Sequence, residues 1–358
     1  MLYPAFSGTA VNPISLAGLS PVIFADTGAP ILAGSVGNDG SAGTLLIAGR
    51  GRQAGSHVLT FSGNTIALGA KSLSLYGPAA GGNVDTLADA NGQLTVLSDA
   101  TLTTSANVAV RRAALLIAGN SLVNIGGQLT GSDAWSVFML QDSASVTASG
   151  GVDFRAVASQ IELNGGTLIT PSIWGNKYAG GVTRTIFNGT QIVASSDNGD
   201  FLQMSVDFTG DEHGSAADLA AGGLLIDTNG HSIGITNDLA DLPGNNGGLT
   251  KTGPGTLTLS GALNYTGDTN IAAGTLIVDS PIGTGNNTVN AVGGTTQFDV
   301  SQTLGALNIG DGAVVVLGAP APPAPGLAEA TAPLPVPEPG TATLLLAGSL
   351  AMLRRFRR

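Results

Sequence analysis

The sequence predicts an all-β protein whose short strands stack as the coils of a β-solenoid. Three observations lead there. The chain has 54 glycines, no cysteine, only 10% charged residues and 43% hydrophobic ones, a composition too apolar and too weakly charged for disorder. A local pattern of glycine, a polar residue and then apolar residues at alternate positions keeps returning between Ser41 and Gly318. Clusters of Gly, Asn and Asp separate these runs at irregular intervals of roughly 20 to 25 residues, the spacing of stacked repeat coils.

Taken in chain order, residues 1–30 read as an irregular segment. Met1 to Phe24 contains no basic residue, whereas a secretory signal opens with a basic region ahead of its apolar stretch. The expectation is an export signal encoded upstream of this start.

Residues 31–318 form the expected solenoid body. The pattern appears at Gly43-Thr-Leu-Leu-Ile47, Gly92-Gln-Leu-Thr-Val96, Gly166-Thr-Leu-Ile169, Gly255-Thr-Leu-Thr-Leu259 and Gly274-Thr-Leu-Ile-Val278. A period of two marks strands with one buried face. In the fourth instance Leu257 and Leu259 should point inward, with Thr256, Thr258 and Ser260 facing water. Gly253-Pro254-Gly255-Thr256 has the chemistry of a type II turn, with proline fixing φ at the second position and glycine accepting positive φ at the third. A single coil cannot bury its own apolar face, but stacked coils about 4.8 Å apart can. About a dozen coils would make a rod on the order of 60 Å long, ending in regular coils around Gly248–Val278. The same strand content also suits an antiparallel β-sandwich, or two of them.

From residue 319 the chain changes character. Residues 319–336 are a Pro/Ala-rich spacer that favours extended polyproline conformation and cannot join a sheet. Residues 337–358 follow as a tail of three parts: Pro337-Glu338-Pro339, an apolar run from Thr341 through Leu344, Leu345, Leu346 and Leu350 to Leu353, and the basic end Arg354, Arg355, Arg357 and Arg358. The apolar run, as a helix, is about 20 Å long, short of the ~30 Å hydrocarbon core of a bilayer. The arginines can reach the headgroups and hold the C-terminus on the cytoplasmic side.

Charge and reactive residues exclude several functions. The formal net charge is −11, and removing the basic tail makes the body more acidic still. With Lys71, Lys177 and Lys251 the only lysines, no patch for neutralising nucleic-acid phosphates can be built. The missing cysteines remove thiolate metal sites, thiol nucleophiles and disulfides together. His57, His213 and His231 fall in no nucleophile-elbow or paired-histidine motif, and Asp211-Glu-His213 reads as a solvated turn. A polysaccharide lyase would gather acids and a base on one face; Asp197, Asp200, Asp207, Asp211 and Asp227 are scattered, with Arg184 nearest. Gly37-Asn-Asp-Gly40 and Gly310-Asp-Gly312 resemble calcium turns but continue into neither a calcium β-roll nor an EF-hand. Trp135 and Trp174 are candidates for stacking on sugars, or core fillers. The expectation is a chain with no catalytic residues, no metal and no cofactor.

Two segments resemble known families. Gly248-Leu-Thr-Lys-Thr-Gly-Pro-Gly-Thr-Leu-Thr-Leu-Ser-Gly261, continuing through Asn264-Tyr-Thr-Gly267 to Ala273-Gly-Thr-Leu276, resembles the autotransporter-associated β-strand repeat. That resemblance implies a right-handed parallel β-helix in an exported protein. Val336-Pro-Glu-Pro-Gly340, with the apolar run and arginines after it, resembles the PEP-CTERM sorting signal of Gram-negative bacteria. It implies processing near Pro337, Glu338 and Pro339 by an exosortase, a transient inner-membrane intermediate, and a final place at the cell surface or outside the cell, with exopolysaccharide or biofilm as the setting. Three functions follow as expectations: a structural or adhesive surface protein first, and a carbohydrate-binding module or polysaccharide lyase on the same scaffold as alternatives.

Overall fold

A computed structural model describes residues 8–25, 29–49, 57–77, 93–133, 136–156, 159–177, 185–206 and 217–318. Among them there is no helix, only strands, most of them short, and turns. The strands stack in three parallel ladders. One runs from Thr9–Ala10 through Ile31–Leu32 and His57–Ser62 to Leu263–Asn264. The second runs from Ile14–Leu16 through Val36–Asn38 to Ala306–Ile309. The third is a 13-stranded sheet from Val22–Ala25 to Val314–Leu317. The long strands Val137–Ala148 and Gln160–Thr170 bend across the corner between the first two ladders, so these merge into one 22-stranded sheet. The described residues form thirteen coils, and at about 4.8 Å per step that stack is on the order of 60 Å long.

The first eleven coils pass through all three ladders once, the last two keep only the second and third, and each turns alternate apolar side chains inward. Leu257 lies between Ile233 and Leu276, and Leu259 between Ile235 and Val278, all buried. The inward side chains form one apolar column from Leu16 to Phe298, closed at the C-terminal end by the half-buried Leu304, Leu307, Val315 and Leu317. Parallel pairing throughout the described ladders rules out the antiparallel sandwich. Such pairing is favourable here because each coil covers the apolar edge of the one before it.

The corners explain the Gly-Thr-Leu motif. Gly255, Gly274 and Gly294 stand in one column immediately before three successive strands of the third sheet, all with positive φ (101°, 71° and 67°). A Cβ on Gly274 would lie 2.5 Å from the carbonyl oxygens of Gly253 and Gly255. Only glycine permits both the conformation and the coil spacing. At the corner between the first and second sheets, side-chain amides tie one coil to the next. Asn64 Nδ2 donates to the carbonyls of Leu32 and Gly34 at 3.0 and 2.9 Å, and Asn287 Nδ2 donates to those of Tyr265 and Gly267 at 2.8 and 2.9 Å.

Three features differ from the sequence reading. The first coil forms within residues 9–25, which were expected to be irregular; its strands are two to four residues long, too short to show a period. Regular coils do not stop near Val278 but continue through Thr288–Ala291, Thr295–Phe298, Ala306–Ile309 and Val314–Leu317. In the Gly92 to Val96 instance the phase is reversed. Thr95 and Leu97 face inward, in register with Leu59 and Phe61, while Leu94 faces outward and packs beside Ala114, Val137 and Met139 in a small second cluster. Apolar residues occupy both phases of that strand, so alternation alone could not choose. The spacer 319–336 and the tail 337–358 lie outside the described residues.

Candidate functional site

The repeat segment around Lys251 is the most specific polar construction in the stack. Lys251 lies on Leu249–Thr252 of the second sheet, in phase with the buried Leu249, and is itself fully buried. Its stem joins the core and its ammonium turns back under the corner. There Nζ donates to the carbonyls of Thr252 at 2.7 Å, Gly253 at 2.8 Å and Ala273 at 3.0 Å. The first two belong to its own coil and the third to the next, so one side chain staples two coils at their tightest turn. From the preceding coil, Thr228 Oγ1 donates to the Pro254 carbonyl at 2.5 Å. Burial pulls the ammonium's pKa down to about 8, partly opposed by the charge of Asp227.

Lys71 repeats the device near the other end. It is fully buried at the start of Lys71–Tyr76, and Nζ donates to the Ser41 carbonyl at 2.7 Å, to the Ser41 hydroxyl, and to Asp39 Oδ1 at 3.4 Å. The Ser41 hydroxyl and amide and the Gly18 amide hold the Asp39 carboxyl well below the usual carboxylate range. Asp39 of the calcium-like turn is thus already surrounded by protein donors. Neither lysine was singled out by sequence reasoning. The signal was present: Lys251 shares the phase of Leu249, and Lys71 that of Leu73 and Leu75.

Tyr265 is the largest fully buried side chain among the described residues, and its hydroxyl lies 2.7 Å from Thr269 Oγ1. Burial pushes its pKa up to about 12. On the outer face, Asn308 Nδ2 donates to Asn290 Oδ1 at 2.7 Å and Asn290 Nδ2 to Asn270 Oδ1 at 2.8 Å. This amide ladder runs up three successive coils.

Of the residues weighed for chemistry, the described part of the chain brings one pair together, His231 with Asp197. His231 Nδ1 lies 3.3 Å from Asp197 Oδ1, and Asp197 also accepts the Ser232 amide, which lowers its pKa. Asp227 Oδ1 accepts the Asn229 amide at 2.7 Å, and Asp200 Oδ1 lies 3.4 Å from the Thr236 hydroxyl. These are turn contacts. Arg184, Asp207, Asp211, His213 and Trp135 lie outside the described residues, and nothing is described of the His57 side chain. Among the described residues no three His, Asp or Glu side chains come together as a metal site would need. Trp174 is half-buried on the outer face of the third sheet. The Arg155 guanidinium covers its ring at 3.9 Å and is held by Asp153 through two bonds of 2.9 and 2.8 Å.

Pro337, Glu338, Pro339, Thr341, Leu344, Leu345, Leu346, Leu350, Leu353, Arg354, Arg355, Arg357 and Arg358 all lie outside the described residues. Among those described, no helix is long and apolar enough to cross a membrane.

Comparison with known proteins bears on the Lys251 region. Residues 249–278 match the family model of the passenger-associated transport repeat. The match spans both buried anchors, Lys251 and Tyr265, and the glycines of the turn column, Gly255 and Gly274. No curated protein and no solved structure matches the chain. The segment is therefore similar to an autotransporter-type β-helix repeat, set within a longer stack of parallel coils.

Proposed function

We propose that this chain is an exported structural or adhesive protein, a right-handed β-helix displayed at the surface of a Gram-negative cell or released from it. The observation that supports it best is the passenger-type repeat at 249–278, built into a continuous parallel stack. A long stack held by backbone ladders, glycine turns and buried lysines is a rigid spacer, and its acidic, cysteine-free composition suits an extracellular life. In this reading the tail is a PEP-CTERM signal. An exosortase cuts near Pro337, Glu338 and Pro339 after the apolar run 341–353 has paused in the inner membrane. The mature body then associates with exopolysaccharide. We read the chain as having no catalysis of its own, since the one described pair of histidine and acid, His231 with Asp197, is an exposed turn contact.

The tail is tested by expression in an exosortase-positive host and an intact mass of the mature product. Loss of the mass beyond the Pro-Glu-Pro motif, and uncleaved precursor after Glu338→Ala or after changing all four terminal arginines to Ser, is the expected result. Mature protein that retains Arg358 would make the tail a permanent anchor or an ordinary terminus.

A further inference from the structure

We propose that the outer face of the third sheet, across the first four coils, binds an extended polysaccharide carrying carboxylate groups. The strands concerned are Val22–Ala25, Gly43–Gly49, Lys71–Tyr76 and Val108–Arg111. Leu45, Ile47, Leu73, Leu75, Val108 and Val110 take the inward phase, so the alternate residues face solvent. Their registers place Thr44 beside Ser72, Leu46 beside Ser74, Ser74 beside Ala109 and Tyr76 beside Arg111. A shallow trough of about 400 Å³ runs across these strands, lined among others by Thr44, Leu46, Ser72, Ser74, Asn107 and Arg111.

The lining selects the ligand's chemistry. Thr44, Ser72 and Asn107 line one side of the trough and Val22, Leu46 and Ala109 lie beside them, a pairing of polar and apolar lining that suits a sugar, whose edges are hydroxyl-rich and whose ring faces are apolar. The Thr44 and Ser72 hydroxyls are 2.8 Å apart, and Ser72 donates to the Gly43 carbonyl at 3.2 Å; each oxygen keeps acceptor capacity. Asn107 Oδ1 accepts the Gln128 amide at 2.9 Å, which orients its NH2 group as a donor. These rows step along the stack at about 4.8 Å, close to the length of one sugar unit in an extended chain. A polysaccharide lying along the rod would meet an equivalent polar position at each step from Thr44 through Ser72 to Asn107.

Tyr76 and Arg111 supply anchorage at one edge. Tyr76 is 40% exposed, unusual for an aromatic residue here, and its ring can cover the apolar face of a sugar. The Arg111 guanidinium is exposed on the neighbouring strand, with no acidic partner among the described residues, and can take a carboxylate through two parallel hydrogen bonds. The contrast with Trp174 is informative. On the same face of the sheet, its ring is already covered by Arg155, which is in turn held by Asp153. There the aromatic and the cation satisfy each other; at Tyr76 and Arg111 no ring contact joins them.

This inference deepens the proposed association with exopolysaccharide, but it is read on purified protein and polymer, so export and tail processing can fail or succeed separately. The test is calorimetric titration of the full chain with polyuronate oligomers and with a neutral β-linked glucan of equal length. Expected are saturable polyuronate binding that weakens with added salt, and binding of the neutral glucan at least tenfold weaker. Arg111→Ala should weaken polyuronate binding at least tenfold, with Arg111→Lys in between, and Tyr76→Ala should weaken it about fivefold. Arg155→Ala should leave it unchanged. Unaltered melting curves would show that these exposed substitutions leave the fold intact. No polyuronate binding, equal binding of the neutral glucan, or full affinity in both Arg111→Ala and Tyr76→Ala would overturn the assignment.

Discussion

Replacing Lys251 with Met isolates the work of one buried ammonium, because the two side chains have similar length and both stems fill the core. Three carbonyls lose their cationic donor. Thr252 keeps the Thr228 amide at 3.2 Å, and Gly253 keeps only a long contact of 3.4 Å from the Thr228 hydroxyl. Ala273 loses the 3.0 Å bond that joined it to the coil below. Two poorly satisfied carbonyls on the half-buried Gly253 and Ala273 cost about 1 kcal/mol each at the low end, so a loss of about 2 kcal/mol is expected for Lys251→Met. Relief of the ammonium's own desolvation keeps the figure from rising further. Lys251→Ala also deletes buried methylenes at about 0.8 kcal/mol apiece and should be roughly 2 kcal/mol worse than Met. Urea unfolding followed by circular dichroism measures both, and hydrogen exchange at Thr256 and Thr275 reports the corner directly. If Lys251→Met lies within about 0.5 kcal/mol of wild type, with unchanged exchange at those amides, the lysine is a passenger in the core and the staple argument fails.

Two further outcomes follow from the same region. Gly274→Ala should cost about 3 kcal/mol or more, since it combines positive φ with a Cβ only 2.5 Å from two backbone oxygens; Gly230→Ala, at similar φ but with open space around it, should cost about 1 kcal/mol in the same urea assay. Stability should also depend on alkaline pH in two stages. Lys251 loses its proton near pH 8 when folded and near 10.5 when unfolded, so the unfolded chain holds more protons in that window and stability rises with pH. Tyr265 keeps its proton to about 12 when folded but ionises near 10 when unfolded, so stability falls above pH 10. Urea midpoints across this range should show the rise vanish in Lys251→Met and the fall weaken in Tyr265→Phe.

The inward leucines were legible in the sequence because a neighbouring glycine fixed their phase. Gly255 and Gly274 mark the corner, so Leu257, Leu259 and Leu276 must point inward. Where both phases of a strand hold apolar residues, as at Leu94 to Leu97, the decision passes to the neighbouring coils. Here Leu59 below and Leu115 above place Thr95 inside. Local alternation does not carry the parallel direction of the ladders; the 20- to 25-residue spacing of the Gly/Asn/Asp clusters and the repeat at Gly248 to Leu276 carried the reading of a parallel stack.

The buried lysines mark a different boundary. Composition assigns lysine to the surface, yet a parallel coil turns every few residues and leaves carbonyls at each corner facing a closed interior. A flexible stem ending in three donors satisfies several of them from one position, which no neutral side chain of that length can do. Lys71 and Lys251 sit at the same corner in coils far apart, both reaching carbonyls between the second and third sheets. The physical rule linking them is phase: a lysine two residues from an inward leucine, just ahead of a glycine turn or just behind one, belongs to the stack rather than to solvent. The outer face obeys the complementary rule. There the aromatic and the cation either pair with each other, as Arg155 does over Trp174, or stand exposed side by side without a ring contact, as at Tyr76 and Arg111.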